Sequence, residues 1–324
     1  IAVVLVVAWP TALVVGISDR TGIRGQEAWV VQAPADAARL VSGASPYAPP
    51  AVERPQGREA WSSSFRLEPA RVLVPDRPLV PPGSAALAAA LRGLGLRDPR
   101  WLSLLALAGV AALALRTLSP ESRPLALGIL TLSVPVTFGA VFGSPMAFVA
   151  LLVSGAWFAS LGARAISAGA LLGMAGAVSG PAFAVVPFLG QPRRADPLTT
   201  RRTLVALVLA FGVLCLPAAL LDPAAFLSAV SRTDDIAPGL GLVNFVLYRG
   251  LENAPAVRLL FASVPLIALV AVALLMRYLP ACPREAKAAL AALLVLFLLP
   301  SVSPEAVALP IALASLPCLR PQER

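Results

Sequence analysis

The sequence predicts an all-α, polytopic membrane protein of about ten transmembrane helices with a large first external loop. Three observations predict it. Of 324 residues, 58% are hydrophobic and only 13% charged, with mean hydropathy +0.82, whereas soluble domains are about a quarter charged. Apolar blocks recur from Ile1 to Leu319 with mostly short polar connections, and only a bilayer gives such a surface a place. The net charge of +9 is almost all arginine, Lys287 being the one lysine, and the arginines gather at block ends as membrane topology requires.

Composition also excludes functions. A pI of 10.8 suggests nucleic acid, but no basic run is interleaved with aromatics, so no nucleic-acid partner is expected. Histidine is absent, which removes His general bases, Ser-His-Asp triads and imidazole metal ligands. Cys215, Cys282 and Cys318 stand far apart in or beside apolar blocks and read as small apolar fillers.

The first block, 1–16, rises only ~24 Å as a helix, short of a ~30 Å hydrocarbon core. It is read as a first transmembrane helix clipped at its N-terminus; a signal peptide is disfavoured because Ser18–Arg20 is a poor cleavage site. The long polar stretch 17–100 follows. Further spans are expected over 101–117, 124–142, 145–161, 165–178, 180–190, 203–221, 257–278, 287–300 and 304–318. Arg193, Arg194, Arg201 and Arg202 form the densest short basic loop and are expected in the cytoplasm. Arg116 with Arg123, Arg164, Arg277 with Arg284 and Lys287, and the tail Arg320 and Arg324 should join them. These agree only if 165–178 and 180–190 are two short helices turning at Ser179-Gly180-Pro181. External segments are then 17–100, 143–145, 179–181, a second loop at 222–256, and 301–304, with both termini cytoplasmic. Residues 84–96 either span, which would shift the parity of the helices that follow, or, at only thirteen residues, lie along the interface as an amphipathic helix, which fits better.

The loop 17–100 carries most of the acidic and aromatic polar residues, including Asp19, Glu27, Trp29, Asp36, Tyr47, Glu53, Glu59, Trp61 and Glu68. Over Gln26–Tyr47 an acidic residue, an Ala-rich helix-like stretch and a Gly-x-x-Pro-Tyr turn follow one another. Trp29 and Tyr47 suit an interface, where one side of the ring is wet and the other dry. A carboxylate at that boundary is partly desolvated, which raises its pKa and makes it a better base near neutrality. Solvated loop charge is the plainer reading of Glu27 and Asp36. Asp234 and Asp235 offer oxygen ligands for a divalent cation, the one cofactor the sequence suggests, although no third acid lies near them.

The same stretch resembles the first external loop of GT-C integral-membrane glycosyltransferases, particularly polyprenol-phosphate-mannose-dependent mannosyltransferases. Leu40-Val-Ser-Gly43-Ala-Ser-Pro46-Tyr47 is similar to the end of that family's loop helix. Pro78-Leu79-Val80-Pro81-Pro82 resembles its entry to a juxtamembrane helix. Ser167–Ala177 with Gly169 and Gly173 resembles its short Gly-rich helix, Pro187 the proline of the return helix, and Leu299–Pro304 its late turn. The resemblance implies inverting transfer of a sugar, mannose most often, from a polyprenyl-phosphate carrier to a lipid or glycan acceptor outside the cytoplasm, at the plasma membrane. It implies a loop carboxylate as base, mapping first onto Glu27, with Asp36 and Asp19 as substitutes. It implies cationic groups for the lipid phosphate, for which Arg249 stands first and Arg232 and Arg258 behind it; interface snorkelling explains Arg249 and Arg258 equally. The sequence departs from the family's polar positions at Gly143-Ser144-Pro145 and Ser179-Gly180-Pro181. That leaves open a different substrate or a catalytically silent subunit that binds or assembles. A transporter is the third class, but there is no internal repeat and ionisable residues lie at span ends.

Overall fold

The computed structural model describes residues 28–47, 83–96, 98–132, 144–189, 197–230, 241–251, 254–279, 282–299 and 308–316. Among these residues every regular element is helical. The helices are α1 (Ala28–Val41), α2 (Gly83–Gly93), α3 (Arg100–Thr117), α4 (Arg123–Leu132), α5 (Pro145–Leu161) and α6 (Ala165–Val178). A 3-10 segment (Gly180–Val185) and α7 (Val186–Leu189) follow, then α8 (Pro197–Leu221), α9 (Pro223–Val230), α10 (Leu242–Tyr248), α11 (Pro255–Ala262), α12 (Val264–Tyr278), α13 (Arg284–Leu298) and α14 (Ala308–Ser315).

Two described helices, α3 and α8, are long and apolar enough to cross a membrane, and the bent pair α11–α12 makes a third if it is one span. The ten spans expected are therefore not reached among the described residues. Several expected spans are short helices: α5 has 17 residues and α6 has 14. The block 1–16 and the turn 301–304 lie outside the described residues, as does most of 124–142. The single span expected over 257–278 is instead bent by 49° between α11 and α12. Pro265 sits in the first turn of α12 and has no amide to continue the ladder, and the Ser263 hydroxyl donates to the Leu260 carbonyl at 2.7 Å. The second loop is largely helical where described, holding α9 and α10.

Helix α5 is apolar on every side and buried from Met146 to Ala159, so it forms the centre of the core. Glycines fix the register around it. A Cβ on Gly169 would overlap the Thr203 carbonyl, and one on Gly173 the Leu207 carbonyl. The two pairs advance together, so α6 and α8 run parallel with their backbones in close approach, the small-residue packing that suits helices in lipid. A Cβ on Gly155 would lie 3.1 Å from Val110, and one on Gly162 2.8 Å from Thr117, so α3 and α5 are parallel as well.

Parallel neighbours require the chain to return between them. Between α6 and α8 the helix stops at Ser179, whose backbone is extended (φ −154°, ψ 117°). The 3-10 segment then folds back so that the Phe183 ring covers Gly176. This is the break expected at Ser179-Gly180-Pro181. Two ends of the bundle result. Exposed Arg116, Arg164, Arg201 and Arg202 lie at one end. The start of α3, the start of α5, the end of α6 and the end of α8 lie at the other.

Helix α2 is eleven residues long, a rise of about 16 Å and half a hydrocarbon core. It buries Ala85, Ala88 and Leu91 and leaves Arg92 exposed. Its first residue shows why glycine stands there: a Cβ on Gly83 would lie 2.5 Å from that of Ala177. Beside it, Arg100 is 1% exposed and paired with buried Asp98. Its Nε donates to both Asp98 oxygens at 2.9 and 3.0 Å, its Nη2 to Oδ2, and its backbone amide to Oδ1 at 2.9 Å. That bidentate fork answers a charge that would otherwise be intolerable in the core.

Candidate functional site

The end of the bundle away from Arg116, Arg164, Arg201 and Arg202 collects most of the buried polar side chains. Asp36, Ser84, Asp98, Arg100, Ser144 and Ser179 are all buried there. Ser144 caps α5, accepting from the Met146 amide at 3.3 Å, with Pro145 in the first helical turn. The two positions that depart from the GT-C pattern, Ser144 and Ser179, are thus helix-end residues here.

Helix α1 packs on α2 and carries Asp36 on its buried face, between Ala33 and Ala37. Asp36 is 4% exposed, and the Arg39 guanidinium lies 3.8 Å from it, one turn along. Burial pushes the Asp36 carboxyl up to about 7, against the opposing pull of Arg39. An aspartate so placed exchanges protons near neutral pH.

The turn after α1 brings in Tyr47. Gly43 takes a positive φ of 75°, a conformation that glycine adopts without strain, and the chain reverses through Pro46. Ser45 then does two things. Its hydroxyl accepts from the Tyr47 amide at 3.2 Å and donates to Asp222 Oδ2 at 3.1 Å. The second Asp222 oxygen accepts from the Ala225 amide at 3.0 Å and so caps α9. Tyr47 is 2% exposed, and its hydroxyl has no hydrogen-bond partner among the described residues. Burial first, then Cys215, Asp36 and Asp222 nearby, push that hydroxyl well above the usual phenol range. It therefore remains a donor. Cys215 is buried on the last turns of α8, the helix that packs on α2.

Of the residues singled out in the sequence, Asp36 and Tyr47 are both buried at this end. Trp29 is described only as a backbone position in the first turn of α1. Glu27, Asp19, Arg232, Asp234 and Asp235 lie outside the described residues. Arg249 and Arg258 belong to a separate group, where Val243, Val246, Leu247, Phe261 and Val264 form a second small core. Arg249 is exposed at the end of α10 with its guanidinium 5.6 Å from the Phe245 ring centre. Arg258 is exposed on α11. Among the described residues, no group of three or more Asp, Glu or Cys side chains is placed to hold a metal.

No family model, no curated protein and no solved structure matches the chain.

Sequence reasoning missed Asp222, Ser45, Cys215 and Gly83. Asp222 had a legible signal: Asp followed by Pro223 at the head of an apolar run is a helix-start pattern. Its link to Ser45 had none.

Proposed function

We propose that this chain is a membrane-embedded glycosyltransferase that moves a sugar, mannose first among the candidates, from a polyprenyl-phosphate carrier to a lipid or glycan acceptor. The observation that carries the reading is Asp36. It is a carboxylate held near a pKa of 7 on a short helix outside the candidate spans, at the end of the bundle opposite Arg116, Arg164, Arg201 and Arg202. By the distribution of basic residues that end faces away from the cytoplasm, where lipid-linked sugars serve as donors without nucleotides. The reading includes a multi-pass protein of the plasma membrane.

Asp36 takes the proton of the acceptor hydroxyl as its oxygen forms a bond to the anomeric carbon. The bond from that carbon to the phosphate oxygen breaks on the opposite face, and polyprenyl phosphate departs with the electron pair. The configuration at the anomeric carbon inverts. Arg249 is the cation assigned to the departing phosphate, with Arg258 and Arg232 as further donors. The resemblance names Glu27, which lies outside the described residues, as first choice of base; the reading commits to Asp36 on its burial and raised pKa.

Proteoliposomes incubated with a panel of radiolabelled polyprenyl-phosphate sugars test it. Wild type and Glu27→Gln should incorporate label, and Asp36→Asn should not. Loss in Glu27→Gln with retention in Asp36→Asn would move the base and keep the class. Full activity in both variants would remove both carboxylates as base and keep the class; no incorporation by folded wild type with any donor would remove the class and leave a silent binding subunit.

A further inference from the structure

We propose that Arg116, Arg164, Arg201 and Arg202 together hold the phosphate headgroups of anionic phospholipids at their end of the bundle. The site needs only that the apolar helices lie in a bilayer, and it is independent of sugar transfer.

Helix register brings the four arginines to one level. A Cβ on Gly162 would lie 2.8 Å from Thr117, so Arg116 and Arg164 flank a contact between α3 and the α5–α6 turn. Gly169 lies against the Thr203 carbonyl, and α6 and α8 run parallel. Arg164 and the pair Arg201 and Arg202 therefore differ in height by about one helical turn. All four are exposed, and among the described residues none of them makes an ion pair.

The apolar surface beside them decides which kind of anion they meet. Arg116 ends a stripe on α3 formed by exposed Leu105, Ala108 and Ala112, whose spacing of three or four residues puts them on one face. Arg201 begins a matching stripe on α8 through exposed Leu204, Val205, Val208 and Leu209. These are the two described helices long and apolar enough to cross a membrane. With the stripes against acyl chains, the arginine stems lie on apolar surface and the guanidinium groups stand at headgroup depth. There each planar fork can donate two parallel hydrogen bonds to a phosphate. A soluble polyanion gains nothing from the stripes, whereas a phospholipid meets both features at once.

Charge selects the headgroup. The exposed acid beside the four arginines among the described residues is Glu121, in the α3–α4 connection, so positive charge is in excess. A phosphatidylcholine phosphate arrives with its own choline cation, and a phosphatidylglycerol phosphate arrives without one. The negative potential of an anionic leaflet adds to the attraction at each arginine.

The full chain in dodecylmaltoside micelles, titrated with fluorescent phosphatidylglycerol, tests the site. Wild type should bind, and its affinity should fall as salt rises. Unlabelled phosphatidylglycerol should compete; phosphatidylcholine, glycerol phosphate and an RNA oligonucleotide should not. Arg116→Gln and Arg164→Gln should each weaken binding about fivefold, and Arg201→Gln with Arg202→Gln about 25-fold. Arg201→Lys with Arg202→Lys keeps the charge and the fold, and should lose less than the glutamine pair. Arg92→Gln, exposed on α2 at the other end, should bind as wild type does. Competition by glycerol phosphate equal to that by phosphatidylglycerol would mean a free-phosphate site, and tighter binding of the RNA a nucleic-acid surface. Equal competition by phosphatidylcholine would mean contact with lipid tails alone. Each of these would overturn the proposal, as would no binding by wild type, unchanged affinity in the glutamine variants, or an equal loss in Arg92→Gln.

Discussion

The Ser45 hydroxyl donates to the Asp222 carboxylate across 3.1 Å, joining residues 177 positions apart in the chain. The bond ties the turn after α1 to the junction of α8 and α9. It also brings two stretches that the arginine pattern assigns to one side of a membrane onto one end of the bundle. Gly83 against Ala177 adds the end of α6 to the same place. Side-chain chemistry and helix register thus agree on which segments share a face.

Burial of Asp36 makes stability depend on pH. Its folded pKa is raised from 3.8 to about 7, so the folded chain binds the proton more tightly than the unfolded one. Below about pH 4 both states are protonated and there is no contribution; stability falls as pH rises from there to about 7, and the full cost persists above it. Asp36→Asn should therefore match wild type near pH 4 and exceed it at pH 8, by up to ~4 kcal/mol. Denaturant unfolding in detergent micelles at the two pH values measures this; equal gaps at both would show that Asp36 is not desolvated.

Close approach of α6 and α8 should make Gly173 intolerant of side chains. Gly173→Val drives a branched carbon into the Leu207 carbonyl and should cost on the order of 2–4 kcal/mol or prevent folding. Gly212→Ala, on α8 with nothing within 4 Å of the added carbon, should be neutral or up to ~1 kcal/mol stabilising. Thermal melts of the purified variants separate the two, and equal losses would contradict the packing.

The Asp98–Arg100 pair should respond to removal of one partner more than of both. Arg100→Met strands a buried carboxylate, at a cost of ~3–5 kcal/mol. Adding Asp98→Asn removes that charge and should recover at least half of the loss. A double variant no better than the single one would mean that lost packing, not unpaired charge, sets the penalty.

Sidedness follows from the two ends of the bundle. With Cys282 and Cys318 replaced by serine, Ser42→Cys should react with an impermeant maleimide in intact cells and Arg164→Cys only after permeabilisation. Both positions are exposed and Cys215 is buried. Labelling of both from one side would contradict the assignment of ends.

Much of the scaffold is legible in the sequence because apolar length and arginine placement carry it. The runs 101–117, 145–161 and 165–178 correspond to α3, α5 and α6 within a residue. The break at Ser179 is legible because Gly180-Pro181 cannot continue an α-helix there. The bend at Ser263 is not, since 257–278 is continuously apolar and Pro265 near a helix start is ordinary. Arg100 shows the limit of charge-counting: it reads as an interfacial arginine, yet its partner Asp98 lets it be buried. At the site, Asp36 and Tyr47 are legible as residue types. The Tyr47 turn is anchored through Ser45 to Asp222, a contact that no local pattern encodes.

The most direct test is the pH dependence of sugar transfer in wild type and Arg39→Gln. The working form of Asp36 is the carboxylate, so wild-type kcat should rise with pH along a limb centred near 7. Arg39 lowers that pKa, so Arg39→Gln should move the limb to higher pH while the plateau rate holds. A limb unmoved by Arg39→Gln, or a rate flat from pH 5 to 8, would contradict Asp36 as the base.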